Sequence, residues 1–349
     1  MRIAFDVSPL SHPRTGVGNY IRGSLAGLVE AAGSEHEVVP FAPTSPQGKR
    51  RIPEELAGVG VEPRLRFLPF AHFWRQGWSR AGRPPVERFL GPVDVLHFTD
   101  WMYPPQRAGI RSTMIHDLVP LRFPEWTQGR TRRMHGAKYR NAARTCDVIF
   151  VNSWFTGREV TELLGVPSEK IVVAYPGVSS EGEGAADLGR PYVLTVATLE
   201  PRKNLDTLLA APLPEGHALA VVGAAGWGPQ PRLDRPDVIR LGYVDDAELA
   251  RLYRGAAAFV YPSRFEGFGI PVIEAMAAGV PVVASAHESL DEAAGDAAMR
   301  ADPDDPEAIG AAIGEAIRRG DELVPRGLAH AERFTWSATG HVMLEAWCA

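Results

Sequence analysis

The sequence predicts an α/β protein with two domains, each a doubly wound, Rossmann-like parallel sheet covered by helices. Short apolar runs typical of buried strands alternate with helix-forming segments along the chain. The alternation is interrupted at 179–191, a segment rich in Gly, Ser, Glu and Ala that has little to bury. The length of 349 residues exceeds one typical core. Two domains of about 150 to 180 residues accommodate it.

The composition limits the kind of protein. The 37 Lys and Arg residues against 42 Asp and Glu residues give a net charge of −5, which offers no general reason to expect nucleic-acid binding. Cys146 and Cys348 stand far apart and form neither a disulfide framework nor a zinc pattern. The sequence shows no secretory leader and no apolar run near the roughly 18 residues of a spanning helix. We therefore expect a soluble, cytoplasmic protein that binds no nucleic acid and touches a membrane, if at all, from outside the bilayer.

The first domain is predicted from six short apolar runs, each suited to a buried parallel strand. They lie at 2–7, 38–41, 93–98, 114–117, 147–152 and 170–173. Helices are expected after the first run, ending near Leu28, and after the fifth, at 153–164. The polar segment 43–51, with its prolines and basic residues, is predicted to be a loop.

A loop with two glycines follows the first strand and opens the first helix. Gly16 and Gly18 stand in it, but a dinucleotide fingerprint would need a third glycine where Ile21 stands. The signal of a Rossmann dehydrogenase is therefore incomplete. A plain helix-entry turn explains the two glycines equally well.

The segment 67–83 combines aromatic and basic side chains. Its aromatic residues Phe67, Phe70, Phe73, Trp74 and Trp78 interleave with His72, Arg75, Arg80 and Arg83. This mixture is typical of a membrane interface, where aromatic rings and cations meet lipid head groups. The alternative is an aromatic helix that packs in a core and leaves its arginines in water.

Two of the predicted strands carry a histidine at or near their ends. His97 lies in the strand 93–98, and His116 with Asp117 ends the strand 114–117. Open α/β sheets bind ligands beyond the carboxyl ends of their strands, so both imidazoles are candidates for a ligand site. His97 is interpreted as structural or as facing an acceptor.

A second alternation begins at Tyr192 and predicts the second sheet. Its strands are predicted at 193–197, 218–222, 238–241, 257–260 and 280–284, and its helices at 205–210, 248–254, 271–278, 306–319 and 336–347. Asp245 or Asp246 is expected to cap the second of these helices. The loop after the first strand carries Arg202 and Lys203, adjacent cations suited to a diphosphate. A solvated pair of cations is the alternative.

The stretch 261–274 joins a strand exit, a glycine turn, a helix start and two carboxylates. A helix is predicted to begin at Pro271. Glu266 then lies in the loop and Glu274 in the first helical turn, on either side of a helix N-terminus that attracts anions. Since carboxylates repel phosphate, we expect them to bind hydroxyl groups, and a sugar nucleotide supplies both a diphosphate and hydroxyls. The alternative is a surface loop with one solvated and one half-buried Glu.

The run Glu266-Gly-Phe-Gly-Ile-Pro-Val-Ile-Glu274 resembles the E-x7-E signature of the retaining glycosyltransferases of family 4, the glycosyl transferases group 1. The resemblance implies the GT-B fold, in which two Rossmann-like doubly wound domains face each other across a cleft. The donor binds mainly to the second domain and the acceptor to the first. The domains are expected at 1–178 and 192–334, with a linker at 179–191 and a C-terminal helix, 335–349, that returns to the first domain.

The resemblance also implies roles for individual residues. The implied catalytic residues are Glu266, His116, Arg202 and Lys203. The implied donor-binding residues are Gly16, Gly18, Thr198, Arg202, Lys203, Val244, Glu266, Gly267, Phe268, Gly269, Ile270 and Glu274. Glu266 is expected to face the transferred sugar and Glu274 the ribose. Many members of the family carry an additional Arg where Thr198 stands, which leaves more of the phosphate charge to Arg202.

The string Asp302-Pro303-Asp304 matches the D-x-D pattern that holds a metal in other transferases. It precedes a helix start, so helix capping is the preferred interpretation. We therefore expect no required metal and no other cofactor. Arg202, Lys203 and the helix N-terminus would then stabilise the leaving-group charge.

The donor and the acceptor are inferred from two short segments. Leu-Glu-Pro-Arg-Lys-Asn at 199–204 and His-Asp-Leu-Val-Pro at 116–120 resemble mannosyltransferases that use GDP-mannose, with a UDP-sugar as the second interpretation. The expected acceptor is a saccharide or lipid-linked saccharide in surface polysaccharide or glycoconjugate synthesis, with the protein in the cytoplasm or peripherally at the inner face of the membrane. A sugar-nucleotide epimerase and a non-catalytic nucleotide-sugar sensor remain alternatives. A front-face route and a covalent intermediate are both compatible with these residues, which do not indicate an oligomeric state.

Overall fold

The computed structural model describes residues 1–12, 15–68, 70–99, 102–178, 183–226, 228–229 and 231–349, without the side chain of His72. Positions 179–182 of the predicted linker lie outside the described residues. The chain divides into two compact units. The first comprises Met1–Gly177 and Thr335–Ala349, and the second comprises Val178–Phe334.

The first unit contains one parallel sheet of seven strands. They are β1 (Arg2–Asp6), β2 (Glu37–Thr44), β3 (Arg64–Phe67), β4 (Val95–Phe98), β5 (Ile110–Ile115), β6 (Val148–Val151) and β7 (Ile171–Val173). Their order is β3-β2-β1-β4-β5-β6-β7. Strands β2 and β3 are added on one side of β1 and strands β4 to β7 on the other, so the strand order reverses between β1 and β4. Such a reversal opens a crevice at the carboxyl ends of the two central strands.

The second unit repeats this plan with one parallel sheet of six strands. They are β8 (Tyr192–Val196), β9 (Ala218–Val222), β10 (Val238–Gly242), β11 (Ala258–Tyr261), β12 (Val282–Ser285) and β13 (Ala298–Ala301). The order β10-β9-β8-β11-β12-β13 reverses between β8 and β11. The two sheets confirm the predicted α/β class with two doubly wound units.

Helices follow most strands and cover the sheets. They are α1 (Gly16–Ala32), α2 (Pro46–Glu55), α3 (Ala71–Ala81), α4 (Glu87–Leu90), α5 (Val119–Arg122), α6 (Gly129–Thr145), α7 (Trp154–Leu164), α8 (Leu205–Ala210), α9 (Asp246–Gly255), α10 (Ile270–Ala277), α11 (Asp291–Ala294), α12 (Pro306–Arg318), α13 (Gly320–Ala331) and α14 (Trp336–Cys348). Asp245 caps α9 by accepting a hydrogen bond from the Glu248 amide at 2.8 Å. No helix in the described part of the chain is long and apolar enough to cross a membrane.

Both faces of the first sheet are buried, which explains why its strands are continuous apolar runs. On β1, Ile3 and Phe5 join one hydrophobic cluster while Ala4, between them, joins another. Successive side chains of a strand point to opposite faces, so the two clusters lie on opposite sides of the sheet. The strand therefore contributes to two cores at once.

The C-terminal helix α14 belongs to the first unit, as predicted. It packs along α1, where Gly23 and Gly27 leave room for Trp336, since a Cβ at either glycine would overlap that residue. Near the end of α14, Trp347 is buried and donates its indole N–H to Ser112 Oγ at 3.1 Å. The last helix of the chain is thus part of the core of the first unit.

Several elements differ from the prediction. Positions 43–51 are not a loop: they hold the end of β2 and the start of α2, which Ser45 caps by accepting from the Gly48 amide at 3.3 Å. The strands β3 and β13 and the helices α4, α5, α6, α11 and α13 were not predicted. The strands β3 and β13 lie at sheet edges, where β3 is mostly exposed and β13 is mostly half-buried, so their sequences lack the apolar run of a central strand.

Candidate active site

The loops that follow β8 and β11 carry the predicted charged residues of the second unit. Arg202 and Lys203 lie in a short 3₁₀ turn, Pro201–Lys203, between β8 and α8. Glu266 lies between β11 and α10. Because β8 and β11 are neighbours at the reversal of the sheet, their loops meet at its carboxyl edge. The sheet topology therefore joins residues that are more than 60 positions apart in the chain.

Glu266 is the centre of a buried hydrogen-bonded network. Its Oε2 accepts from Arg202 Nη1 at 2.8 Å, and its Oε1 accepts from Lys203 Nζ at 2.6 Å. The same Oε1 accepts from the Tyr261 hydroxyl at 3.0 Å and from Ser263 Oγ at 2.5 Å. Glu266 and Lys203 are 7% and 8% exposed. These five residues form what we call the Glu266 network.

The protonation states within the Glu266 network follow from burial and charge. Burial alone would raise the pKa of Glu266, but the Arg202 and Lys203 charges overcome it and lower that pKa to about 2. Burial and the Arg202 charge lower the pKa of Lys203, with Glu266 opposing them. Burial and the Glu266 charge hold the pKa of Tyr261 well above its ordinary value. The carboxylate is therefore ionised and the phenol neutral at neutral pH.

The two predicted phosphate-binding cations are each paired with a carboxylate. Besides its bond to Glu266, Arg202 donates Nε to Glu200 Oε2 at 3.1 Å. The Arg202 side chain is 18% exposed, so part of its guanidinium reaches the surface. An anionic ligand at this edge would meet an arginine already held in position by two carboxylates.

Asn204 ties the two loops together and was not predicted as a site residue. Its side-chain N–H groups donate to Pro262 O at 3.1 Å and to Pro303 O at 2.6 Å. Its φ of 59° is left-handed, a conformation that Asn tolerates better than most residues. In the sequence, the position of this Asn between a cation pair and a helix start could have identified it as a site residue.

The backbone requires the glycine turn before α10. Gly269 has a φ of 106°, and its Cβ would lie 2.5 Å from Leu290 Cδ2, so only glycine fits. Phe268 is 2% exposed and packs its ring 5.3 Å from that of Phe334. Gly267 is also buried. Gly267, which has no side chain, and Phe268, whose ring is packed away, therefore offer main-chain atoms to a ligand.

Glu274 is not in the first turn of its helix, contrary to the prediction. The helix α10 begins at Ile270, one residue before Pro271, so Glu274 is its fifth residue. Its Oε2 accepts from the Tyr253 hydroxyl at 3.0 Å. Burial raises the pKa of Glu274 to about 7, against the opposing effect of the Tyr253 hydrogen bond. The two carboxylates of the E-x7-E run therefore have opposite pKa shifts.

Two further predicted donor-binding residues lie at the same carboxyl edge. Thr198 follows β8, is exposed, and accepts a hydrogen bond from the Glu200 amide on its carbonyl at 2.8 Å. Val244 follows β10 and is half-buried beside Tyr243, whose side chain is 58% exposed. Both positions suit contacts with a ligand that extends along this edge.

In the first unit, the predicted glycines stand at the start of α1. Thr15 caps this helix by accepting from the Gly18 amide at 3.3 Å. Gly16 is exposed, and a Cβ there would meet nothing within 4 Å. The structure therefore shows the helix-entry turn, with open space at Gly16.

His116 follows β5 directly and carries a buried nitrogen, Nε2, that has no hydrogen-bond partner among the described residues. Burial and the Lys138 charge lower the pKa of His116 to about 3, so the ring is neutral. Ile115 pairs with Val151, which places Asn152 beside His116 at the carboxyl edge. The Oδ1 of Asn152 is likewise buried and unpartnered within the described chain, and this residue was not predicted. Orphaned buried groups of this kind are ready to bind a polar ligand.

His97 is structural, which decides between its two interpretations. It is 1% exposed, and its Nδ1 lies 3.1 Å from Ser112 Oγ. Its ring packs 4.8 Å from that of Phe5.

The D-x-D string is held by local contacts, although not by the helix cap that was predicted. Asp302 Oδ1 accepts from the Asp304 amide at 2.9 Å, and Asp304 pairs with Arg264 at 2.6 Å. The cap of α12 is the next residue, Asp305, which accepts from the amides of its first turn. Within the described ranges, no group of three or more His, Cys, Asp or Glu side chains could hold a metal ion.

Comparison with known proteins identifies both halves of the chain. Residues 190–319 match the model of glycosyl transferases group 1, and residues 14–181 match that of glycosyltransferase family 4. The chain is 31% identical over 377 positions to O-antigen chain mannosyltransferase B of Escherichia coli, covering 96% of each chain. It is 29% identical to D-inositol 3-phosphate glycosyltransferase of Acidothermus cellulolyticus, covering 74% of this chain and 67% of that one.

Solved structures share the fold. Sucrose-phosphate synthase from Thermosynechococcus elongatus superposes with a TM-score of 0.70 at 19% identity, over 99% of this chain and 97% of that one. HepE from Anabaena, solved with UDP-glucose, gives a TM-score of 0.68 at 17% identity, over 99% and 98% of the chains. The two parallel sheets, the Glu266 network and these matches agree, and the chain belongs to the family 4 (group 1) glycosyltransferases of the GT-B fold.

Proposed function

We propose that this glycosyltransferase transfers a mannosyl residue from GDP-mannose to a saccharide or lipid-linked saccharide with retention of anomeric configuration, in surface polysaccharide synthesis. The observation that carries the proposal is the Glu266 network at the reversal of the second sheet. Support for mannose comes from the 31% identity, over 96% of both chains, to an O-antigen chain mannosyltransferase.

In this proposal, the cations of the Glu266 network receive the diphosphate of the donor. Transfer breaks the bond between the sugar C1 and the phosphate oxygen, forms a bond from C1 to an acceptor hydroxyl oxygen, and passes the proton of that hydroxyl to the departing phosphate oxygen. Negative charge develops on the departing diphosphate before the proton arrives. Arg202 and Lys203 are fixed before the ligand arrives, and donors fixed in this way stabilise developing charge without reorganisation. No metal ion is required for this step.

Glu266 acts in the proposal as a positioning group. Its pKa of about 2 means that it carries no proton to donate at neutral pH. Both of its oxygens accept hydrogen bonds from cations, which lowers its strength as a nucleophile. These features support a front-face route over a covalent intermediate on Glu266.

The acceptor side of the proposal rests on the first unit. His116 is neutral and presents an unpartnered Nε2 among the described residues, with Asn152 as its neighbour. Neutral donors and acceptors suit the hydroxyl groups of a sugar. A lipid-linked acceptor would require the protein to work at a membrane surface.

The donor is tested by thermal melts with GDP, UDP, ADP and TDP, because a ligand at a hundred times its dissociation constant stabilises the folded state by about 2.7 kcal/mol. We expect the largest shift with GDP. A clear shift with UDP and none with GDP would refute the mannose donor and leave the transferase assignment intact.

The reaction is tested by incubating GDP-mannose with lipid-linked and free saccharide acceptors and recording the anomeric configuration of the product by NMR. The variant Arg202→Ala should lose most transfer, and Arg264→Ala serves as its matched control because the Arg264 side chain pairs with Asp304 instead. Conversion of the donor without an acceptor would indicate an epimerase or hydrolase. Tight donor binding without turnover would indicate a sensor.

A further inference from the structure

An apolar groove of about 760 Å³ runs along the first unit, between the edge strand β3 and the helices α3 and α4. Its floor includes the buried side chains of Phe41, Val86 and Leu90. Phe73 and Trp74 of α3 line one side. The groove is separate from the carboxyl-edge residues described above and has no role in the proposed transfer.

The helix α3 turns its aromatic side chains outward. Phe73 is 74% exposed and Trp74 is 52% exposed, whereas Arg75 is only 4% exposed. The inward face of the helix is formed by Ala71, Arg75 and Ser79, which are spaced four residues apart. Phe73 and Trp74 therefore do not form the core face that the second interpretation of 67–83 required, although Trp78 packs half-buried against the core and Arg80 and Arg83 are exposed.

The exposed aromatic surface extends beyond the groove. Phe70, which precedes α3 and does not line the groove, is 85% exposed. Phe67 and Phe89 are 48% and 41% exposed. Single exposed apolar residues are ordinary, but a cluster of large ones marks an interaction surface.

Four arginines border the groove; one of them, Arg64, pairs with Glu37 at 3.7 Å, and the other three have no counter-ion among the described residues. Arg64, Arg66, Arg83 and Arg88 line it, and no Asp or Glu does among the described residues. Arg66, Arg83 and Arg88 are exposed and form no ion pair with any residue that the structure describes. Since the chain as a whole carries −5, this local positive charge favours an anionic partner.

We propose that the groove and the α3 face bind the surface of a bilayer that contains anionic phospholipid, with an acyl chain in the groove and lipid phosphates at Arg66, Arg83 and Arg88. A single amphiphile would fill the groove but leave Phe70 in water. A bilayer interface covers Phe70, Phe73 and Trp74 together and allows the arginines to reach the phosphates. The same surface excludes a purely apolar partner because of its charge.

The proposal is tested by co-sedimentation of the full chain with vesicles of phosphatidylcholine, with and without phosphatidylglycerol. We expect binding only to the anionic vesicles. The variant Arg66→Ala/Arg83→Ala/Arg88→Ala should bind them about a hundredfold more weakly, since each basic residue near an anionic surface contributes roughly a factor of five.

A matched control removes the same charge elsewhere. Arg144, Arg232 and Arg240 are exposed and do not line the groove, and their replacement by Ala should leave vesicle binding within a fewfold of the parent. Equal weakening by both triple variants would show attraction by net charge alone and would overturn the proposal.

The aromatic contribution is tested separately with Phe73→Ser/Trp74→Ser. Both side chains are more than half exposed, so the melting temperature should not change while vesicle binding falls. Unchanged vesicle binding by this variant would also overturn the proposal. Neither donor nor acceptor is needed in these measurements, so their outcome is independent of the proposed transfer reaction.

Discussion

Replacement of Glu266 by Gln is the sharpest test of the Glu266 network. The substitution keeps the shape of the side chain but removes the charge that Arg202 and Lys203 share at 2.8 and 2.6 Å. It also places an amide N–H₂ group where one oxygen now accepts, so a donor faces a donor. Lys203 is 8% exposed and would be left without its carboxylate.

The expected loss of stability follows from the pKa of Glu266. Lowering that pKa from its ordinary 4.5 to about 2 corresponds to about 3 kcal/mol at neutral pH. Removing one partner of a buried ion pair costs about 3 to 5 kcal/mol, and water at the partly exposed Arg202 favours the lower end. The two arguments agree on about 3 kcal/mol.

The pH dependence of this loss has a definite sign. Because the folded-state pKa of Glu266 is lowered, its contribution is fully present above about pH 4.5 and is lost as the pH falls toward about 2. Glu266→Gln should therefore differ from the parent by about 3 kcal/mol near pH 7 and by much less near pH 2.5.

Urea unfolding of the parent and of Glu266→Gln at both pH values measures this difference. Glu248→Gln is the matched control, because Glu248 forms an exposed pair with Arg251 on one helix and should cost no more than about 0.5 kcal/mol. A difference below about 1 kcal/mol near pH 7, or one that does not shrink in acid, would refute the argument.

Three other predictions concern binding, pH and metal. Lys203→Ala should weaken GDP binding about ten- to a hundredfold, since a charge-assisted hydrogen bond contributes about 1.5 to 3 kcal/mol; calorimetry that shows unchanged affinity would remove Lys203 from the donor site. Burial raises the pKa of Glu274 from 4.5 to about 7, so the parent loses stability as the pH rises through this range. Glu274→Gln has no carboxyl group to ionise, so its melting temperature should rise relative to that of the parent between about pH 5 and pH 8. A difference in melting temperature that does not change with pH would contradict the raised pKa of Glu274. Transfer activity should survive excess EDTA; complete loss that magnesium or manganese restores would revive the metal interpretation of 302–304.

The sequence by itself determined the class of fold and predicted where the candidate active site lies. Buried parallel strands are apolar throughout, so the strands at the centre of each sheet were visible as short runs. Glycines and a proline mark the strand-to-helix turn before α10, which is why the stretch 261–274 could be recognised from local pattern. The return of α14 to the first unit was implied by the family resemblance of the same stretch.

Tertiary structure alone decided which side chains meet. Glu266 contacts Arg202 and Lys203 only because β8 and β11 are adjacent at the reversal of the sheet, and strand order is not encoded in any local period. The helix that carries Glu274 begins at Ile270, one residue earlier than predicted. Boundaries of this kind are set by packing as much as by propensity.

The orientation of α3 also required the structure, because its sequence is compatible with an aromatic face turned inward or outward. Arg75 is buried on the inward face of α3, while Phe73 and Trp74 are exposed. The Arg75 charge lowers the pKa of the buried Asp6, although burial raises that pKa more strongly. Periodicity shows that a helix has two faces, and the neighbouring elements determine which one is buried.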